Sequence, residues 1–513
     1  MLQPMPNDRR TTLPQTEAAA RDLPRITLIG ALSGALYAIL YAIHQAIYRN
    51  GMVIDLGSSI IRGDPADRGR LWLAGIGYAS VSLALVALYL WLLLQCRRGS
   101  FAGGRARTLA LLFPVLFNLL LLFGRPYLSI DVFSYLAHGY LGSQPTLNPY
   151  VQPTREVADT PFGPPLLSFG WQAVHDQSPY GPLWTQIEIA ALRVTQDIPT
   201  GMLLLKLVVV AASLASAALI WLILGRVRPQ DQLLGTLFYL WNPLIVIEVA
   251  AEGHNDALMI VFVLAALLCA VSARPGWAAG TLVLGVLTKY VPLIFFLPLL
   301  VYLWRTQRDR RRLGLELLLG LAAGIACAAL LYWPLWVGAA TFEGVRLSGQ
   351  ASAAATPSGL LFRLLSISEP AAVAAQRVSL ILGGLFALVV LLASWRVRDA
   401  ASLLSTCALL ILGYYLVVSP NYWPWYAALP VALMALRPRG AFLWLVVALT
   451  IGSRLGAPWA DLVVNQFIVW ENAQQLITGP GVLLPLICGL LLALRRWRAP
   501  RLSALPASGM SDL

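Results

Sequence analysis

The sequence predicts an all-helical integral membrane protein, a bundle of about 13 to 14 transmembrane helices with amphipathic surface helices in its first long outer loop. Two observations predict this fold: 58% of the 513 residues are hydrophobic and only 12% are charged, and long apolar runs recur along the whole chain. We expect a disordered cytoplasmic tail at 1–25, a polytopic membrane domain at 26–497 and a second cytoplasmic tail at 498–513.

The apolar runs give the expected spans. These lie at 27–48, 72–94, 108–124, 201–224, 233–250, 256–273, 276–289, 291–304, 313–336, 377–395, 402–418, 424–436, 440–456 and 480–494. Several are shorter than the roughly 20 residues of a straight crossing. The pair at 276–304 is broken at Lys289-Tyr290-Val291-Pro292, so it is either two short crossings or one re-entrant hairpin.

Arginine in the short loops predicts the orientation of the chain. Arginines follow every second expected span, at 97–107, 226–228, 274, 305–312, 396–398, 437–439 and 495–498. Because arginine-rich short loops stay in the cytoplasm, both termini are expected there, and the long segment 125–200 is expected outside an inner or plasma membrane. The net charge of +13 therefore reports topology and does not indicate a nucleic-acid partner.

The outer segment contains a helix pattern that begins at Asp131. Apolar residues recur at helical spacing on one face, namely Phe133, Leu136, Ala137, Tyr140 and Leu141. The other face carries Asp131, Tyr135 and His138, so we expect a helix that lies flat on the membrane and offers a polar face. A second flat helix is expected at 184–196. The alternative role of Asp131 is that of a helix N-cap.

Carboxylates and histidines beside apolar spans collect on the expected outer side. They are Asp131, His138, His175, Glu188, Glu248, Glu252, His254 and Asp256. Such groups are costly near a membrane unless they are used or paired, so Glu248 in particular needs a partner. In the run G-H-N-D at 253–256, Asn255 or Asp256 has the simpler alternative of capping the next span.

A reaction outside the cytoplasm has no supply of nucleotide-activated sugar, and the sequence has no phosphate-binding G-x-x-x-x-G-K-[ST] loop. Glycosyl transfer from a polyprenyl phosphate suits the residues present, since it needs one base and a cation near the leaving phosphate. Asp131 is the candidate base. Lys289, Arg454 and Arg346 are candidates for the phosphate, while Lys289 and Arg454 have the alternative of snorkelling at a helix end.

Aromatic, proline-bearing runs map to the same side: T-L-N-P-Y at 146–150, S-P-Y-G-P-L-W at 178–184 and S-P-N-Y-W-P-W-Y at 419–426. Such rings stack on sugars or form the ordinary aromatic belt of a membrane protein. The candidates for binding sugar or acceptor are Tyr135, His138, Tyr150, Tyr180, Trp184, Glu248, Glu252, His254, Asn255, Asp256, Trp423 and Trp425.

Together the motifs resemble the GT-C glycosyltransferases, and more closely the polyprenol-phosphate-mannose-dependent α-1,6-mannosyltransferases that elongate lipomannan. The resemblance lies in D-V-F-S-Y-L-A-H-G at 131–139, N-P-Y at 148–150, S-P-Y-G-P-L-W at 178–184, W-N-P-L at 241–244, G-H-N-D-A-L-M at 253–259, L-T-K-Y-V-P-L at 287–293 and P-W-Y at 424–426.

This resemblance implies a polyprenyl-phosphate mannose donor, inversion at the sugar carbon, a lipid-linked or surface mannan acceptor, and catalysis by Asp131. The family's early acidic motif often carries a second acid, whereas Ser129, Ile130 and Val132 surround Asp131 here. A metal-binding D-x-D is therefore missing, no cofactor or metal ligand is assigned, and a divalent-metal requirement is left to a chelator titration. Loops 337–376 and 457–479 match nothing, so the acceptor and linkage are open.

Two alternatives remain at this point. A carrier or flippase for a lipid-linked sugar would use the same charged cavity without chemistry, but it would usually show two corresponding broken helices in related halves, and the sequence shows no such symmetry. Another GT-C enzyme would transfer glucose, arabinose or aminoarabinose instead of mannose.

Overall fold

The protein is helical throughout most of the residues that the computed structural model describes. Those residues are 15–49, 54–55, 60–61, 68–101, 103–126, 128–171, 177–349, 355–459 and 470–502.

Within this described part, nine helices are long and apolar enough to cross a membrane, or ten if a bent helix pair is counted as one span. The nine are Arg21–Ile43, Trp72–Arg97, Gly104–Leu122, Ile198–Val227, Arg310–Leu335, Ala371–Trp395, Ala400–Val418, Ala441–Trp459 and Gln475–Arg495. The bent pair is Pro229–Leu240 with Pro243–Ala251, and shorter apolar helices lie at Asp256–Val271, Pro275–Val286, Val291–Thr306 and Pro424–Met434. Each expected span coincides with one of these segments, which confirms the all-α integral membrane fold.

The first half of the chain has nine α-helices and a two-residue antiparallel hairpin. The helices are α1 (Gln15–Arg49), α2 (Arg68–Arg97), α3 (Gly104–Leu122), α4 (Asp131–Ser143), α5 (Gly163–Ser168), α6 (Pro182–Val194), α7 (Ile198–Val227), α8 (Gln232–Leu240) and α9 (Pro243–Val246). The hairpin pairs β1 (Ile54–Asp55) with β2 (Ile60–Ile61).

The second half is also helical. It contains α10 (Asp256–Val271), α11 (Pro275–Val286), α12 (Phe296–Thr306), α13 (Arg310–Tyr332), α14 (Glu343–Ser348), α15 (Pro357–Leu365), α16 (Ala371–Trp395), α17 (Ala400–Gly413), α18 (Ala428–Met434), α19 (Ala441–Leu455) and α20 (Trp470–Leu502). The break expected at 289–292 lies between α11, which ends at Val286, and α12, which begins at Phe296, so the two short helices are separate elements.

The chain ends differ from the expected boundaries. Helix α1 already begins at Gln15, inside the segment expected to be disordered, and α20 continues to Leu502. The remaining parts of both expected tails, at 1–14 and 503–513, lie outside the described residues, as do His175 and most of the loop at 457–479.

Helix α4 begins at Asp131 as predicted, but its polar face is not open to water. Asp131 is 8% exposed, Tyr135 0% and His138 1%. The face is covered because α6 packs against α4 and the turn at 252–255 lies over its first residue. The expectation that this face is open to water is therefore wrong, because its polar residues are buried within the protein.

The W-N-P-L motif bends the helix pair that leads to this cluster. Pro243 has no N–H to continue α8, and the Asn242 side chain accepts a hydrogen bond from Leu244 N at 2.9 Å, so a new helix starts there. The two halves meet at 48°. A π-helical turn at Ile247–Ala251 follows and places Glu248 and Glu252 at the site.

Candidate active site

Asp131 lies at the centre of the polar cluster and does not cap its helix. The N-cap residue is Ile130, so the capping alternative is wrong. Asp131 Oδ2 instead accepts hydrogen bonds from the hydroxyls of Tyr180 at 3.3 Å and Tyr135 at 3.5 Å. His254 Nε2 lies 4.0 Å from the same oxygen.

Glu252 anchors the segment that precedes α4. Its carboxylate accepts hydrogen bonds from Leu128 N and Ser129 N, each at 3.1 Å, and it is fully buried. Gly253 follows with φ +78°, a backbone conformation that other residues rarely adopt, so the chain can turn and bring His254 against Asp131. Glu252 therefore holds the start of α4, and the sugar-binding role expected for it stays a prediction.

Glu248 has the partner that its position required. Its carboxylate pairs with the guanidinium of Arg454, which is fully buried on α19. Glu248 Oε2 also lies 3.0 Å from His254 Nδ1. Arg454 thus neither snorkels nor faces an open cavity, and we do not assign it to the donor phosphate.

Asp256 is the first residue of α10 but makes no capping hydrogen bond with its side chain, and neither does Asn255. Asn255 nevertheless occupies the N-cap position of α10, so the capping alternative is wrong for Asp256 alone. Asp256 Oδ2 lies 2.6 Å from Lys289 Nζ. Lys289 keeps 14% of its side chain exposed and lies over the rings of Tyr180 and Tyr426, at 5.6 and 5.7 Å from their centroids.

The run S-P-Y-G-P-L-W is fixed directly against the lysine turn. Gly181 N donates to Thr288 O at 3.0 Å, and Leu183 N donates to Leu287 O at 2.9 Å. A Cβ at Gly181 would lie 2.2 Å from Leu287 O, so this approach requires glycine. The pairing brings Tyr180 between Lys289 and Asp131.

Charge pairing singles out one carboxylate. Glu248 is matched by Arg454 and Asp256 by Lys289, and Glu252 is held by backbone N–H groups and interacts electrostatically with Lys206. Among the described residues, no lysine or arginine forms an ion pair with Asp131. Within that part of the chain, the polar side-chain groups in contact with its carboxylate are the hydroxyls of Tyr180 and Tyr135 and the imidazole of His254.

The motif at 253–256 leaves buried polar atoms without hydrogen bonds. His254 Nε2, both polar side-chain atoms of Asn255, and Asp256 Oδ1 have none. Buried polar groups are nearly always paired in folded proteins, so a group of unpaired atoms indicates a place for water or a polar ligand. These atoms come from consecutive residues beside Asp131 and Lys289.

Aromatic rings complete the cluster. Trp425 stacks on the His254 ring with centroids 4.1 Å apart, and Trp423 stacks behind Trp425 at 5.3 Å. Tyr426, which sequence reasoning did not select, lies beside Lys289 and stacks on Tyr415 at 4.9 Å. The sequence did indicate Tyr426, because it is the last residue of the aromatic run at 419–426 that contains Trp423 and Trp425.

Three predicted binding residues lie in a supporting layer. The Trp184 ring is fully buried, edge-on to Tyr135 at 5.1 Å. The Tyr150 hydroxyl donates to Tyr180 O at 3.3 Å and contacts Thr185 Oγ1 at 3.2 Å. His138 Nδ1 lies 3.6 Å from Glu188, whose pKa is raised well above its usual value by burial.

Arg346 is exposed on α14, where it pairs with Glu343 at 2.5 Å.

A cavity of about 580 Å³ lies between α11 and α13, lined by residues such as Trp277, Leu284 and Leu319. None of the polar residues around Asp131 borders it. We therefore place the site by its convergent polar side chains and not by this apolar cavity.

The comparison with known families gives one match. The family described as alpha-(1->6)-mannopyranosyltransferase, N-terminal domain, matches residues 30–306, more than half of the chain. No curated protein matches the chain. The matched range includes Asp131, Tyr180, the turn at 252–256 and Lys289. The chain therefore belongs to the alpha-(1->6)-mannopyranosyltransferase family, and it is a mannosyltransferase built from membrane helices.

Proposed function

We propose that the protein moves a mannosyl residue from polyprenyl-phosphate mannose to a hydroxyl of a lipid-linked or cell-envelope glycan, with inversion at the sugar carbon. One observation supports this proposal above the others. Asp131, a carboxylate with no lysine or arginine ion pair in the described ranges, and Lys289, a partly exposed cation, border the same Tyr180 ring. A base and a phosphate-binding group are what a single displacement at a sugar phosphate needs.

The reaction follows from these two groups. Asp131 takes the proton from the acceptor hydroxyl, the acceptor oxygen forms a bond to the anomeric carbon, and the bond from that carbon to the phosphate oxygen breaks. The polyprenyl phosphate keeps the electron pair, and Lys289 stabilises its charge. Because no carboxylate bonds to the sugar, a single displacement inverts the configuration.

Lys289 can serve a phosphate while it remains paired. An ammonium group has three N–H donors, and Asp256 occupies one of them. The carboxylate also fixes the direction of the lysine side chain, so the remaining donors point to a constant place. The Tyr180 and Tyr426 rings on either side favour a cation there.

The proposed location of the reaction is the extracytoplasmic face, with both termini in the cytoplasm. Arginines lie at the ends of helices opposite to those that carry the site. The helical segment Val291–Thr306 starts just after Lys289 and has Arg305 in its last turn, and α10 starts at Asp256 and ends just before Arg274. By the positive-inside rule, this distribution supports an extracytoplasmic site. A donor that works there must be anchored in lipid, which favours a polyprenyl phosphate over a nucleotide sugar.

The experiment that tests the donor is an assay of purified protein with a panel of polyprenyl-phosphate sugars. The panel contains the mannose, glucose and arabinose derivatives and a nucleotide-activated mannose, with a short α-(1→6)-linked manno-oligosaccharide as acceptor and parallel samples in chelator. We expect product only from the polyprenyl-phosphate mannose, with inverted configuration. Transfer from the nucleotide sugar, or from glucose or arabinose in preference to mannose, would refute the proposed donor.

Glu252→Gln tests whether the buried anchor positions Asp131. Both carboxylate oxygens of Glu252 accept hydrogen bonds, whereas a glutamine has one acceptor oxygen. Its amide N–H groups would face the backbone N–H donors of residues 128 and 129. We expect turnover to fall about 10-fold and the free energy of unfolding to fall by roughly 1–3 kcal/mol. The measurements are transfer rate and thermal unfolding in detergent.

Asp399→Asn is the matched control for that variant. Asp399 also accepts a backbone N–H, from Ser402 at 2.7 Å, but it caps α17 away from the site. We expect a comparable loss of stability with turnover unchanged. If Glu252→Gln behaves in the same way, Glu252 has no part in placing Asp131.

A further inference from the structure

His254 occupies a position that the proposed reaction does not yet use. It lies between two carboxylates, with Nδ1 3.0 Å from Glu248 Oε2 and Nε2 4.0 Å from Asp131 Oδ2. The ring is 1% exposed and stacks flat on Trp425, with an angle of 16° between the planes. Its position is therefore fixed on both edges and on one face.

The contacts at Nδ1 determine the tautomer. Nδ1 has two acceptors within reach, Glu248 Oε2 and the Glu248 carbonyl at 3.1 Å. A neutral imidazole with two acceptors at Nδ1 carries its proton there, which leaves a lone pair on Nε2. Nε2 has no hydrogen-bond partner and points towards Asp131. The lone pair therefore faces the proposed base.

We propose that His254 is a positioning residue that receives the reaction's proton from Asp131. This inference rests on the proposed function. The acceptor O–H bond breaks and the proton binds to Asp131 Oδ2; that O–H bond then breaks and an N–H bond forms at His254 Nε2. Asp131 returns to its ionised form, and the imidazolium is stabilised by Glu248. The proton leaves to water after the products depart.

The distance of 4.0 Å is longer than a hydrogen bond. Hydrogen bonds of catalytic groups are often long in a substrate-free protein and shorten when the substrate binds. A side-chain movement of about 1 Å brings the two atoms to hydrogen-bond distance and allows direct transfer. A water molecule beside the line that joins the two atoms can also lie within hydrogen-bond distance of both and carry the proton between them.

The charged groups around His254 are consistent with a neutral imidazole ring before the reaction. Burial lowers the pKa of His254, and the carboxylates of Asp131, Asp256 and Glu252 oppose that shift while Lys289 adds to it. Glu248, the remaining carboxylate, is matched by Arg454. A ring that is neutral at rest can accept a proton, and it loses that capacity when the pH falls through its pKa.

His254→Asn is the variant that separates this role from packing. The asparagine amide keeps an N–H donor towards Glu248 but has no group that accepts a proton. We expect kcat to fall about 10- to 100-fold with the KM of donor and acceptor changed less than about threefold. Wild-type kcat should fall on the acid side as His254 protonates, and this inflection should be missing in the variant.

Asp231→Asn controls for lost stability alone. Asp231 is a buried carboxylate that binds Arg228 and Arg439 at the far end of the bent helix pair. The Asp231→Asn variant should have a lower thermal stability, while its kcat and the inflection of kcat on the acid side stay as in the wild type. An unchanged inflection in His254→Asn, or a fall in activity that comes entirely from a higher KM, would refute the proton-receiving role.

A measurement on the unmodified protein tests the same step if the variant does not fold. Nitrogen-15 NMR of histidine-labelled protein should show a neutral His254 ring with its proton on Nδ1 and none on Nε2, which is the state that can receive the proton. A proton on Nε2 in the resting protein would overturn the inference. Failure of the proposed function itself is distinguishable, since Asp131→Asn would then remain active, whereas failure of the relay alone leaves Asp131→Asn inactive and His254→Asn active.

Discussion

Asp131→Asn should abolish mannosyl transfer, with turnover at least ~1,000-fold below the wild type. The amide has nearly the same shape as the carboxylate and can still accept a hydrogen bond from Tyr180 or Tyr135, but it cannot take a proton from the acceptor. Because no lysine or arginine of the described residues forms an ion pair with Asp131, the substitution leaves none of those cations without its partner. The protein should therefore fold and still bind the donor.

The measurements are single-turnover transfer and donor binding with purified protein. Asp197→Asn is the matched control, since Asp197 caps α7 by accepting from Thr200 N at 3.0 Å and is exposed. This control should transfer mannose at the wild-type rate. Turnover of Asp131→Asn above about a tenth of the wild type would remove Asp131 from the proposed mechanism.

Lys289→Ala should lower kcat about 100-fold or more, because the leaving phosphate loses the cation that stabilises its charge. The single variant also leaves the buried Asp256 carboxylate unpaired, so lost stability would contribute to its effect. The informative comparison is the double variant Lys289→Ala/Asp256→Asn. It removes both charges and should restore thermal stability towards that of the wild type.

The double variant should recover stability without recovering transfer. Donor KM and kcat measured for both variants, together with thermal unfolding, check this expectation. Recovery of the transfer rate along with the stability would show that Lys289 serves only to neutralise Asp256, and the phosphate would then need another partner.

The helix positions and several residues of the candidate site could be predicted from the sequence. Apolar runs and helical spacing act over neighbouring residues, so the spans and the start of α4 at Asp131 follow from local pattern. The sidedness of the arginines then limited the candidates to one end of the bundle. Asp131, Lys289 and the turn at 253–256 were selected in this way and lie together in the structure.

The pairings were not predictable, because they join residues far apart in the chain. Glu248 and Arg454 are separated by 206 positions, and Tyr180 reaches Asp131 across 49. When these pairings are unknown, the sequence indicates a free cation at Arg454 and a helix cap at Asp256. The aromatic residues pose a different difficulty: Tyr150 and Trp184 support the site from inside, while Trp425 and Tyr426 border it, and the residue type is the same in both roles.

A structure of the protein bound to a non-hydrolysable phosphonate analogue of polyprenyl-phosphate mannose measures the central arrangement directly. We predict the phosphonate within hydrogen-bond distance of Lys289 Nζ, and the anomeric carbon open on its opposite side towards Asp131. A sugar bound elsewhere, for example at the cavity between α11 and α13, or a phosphonate held by other cations with Lys289 still paired only to Asp256, would contradict the account.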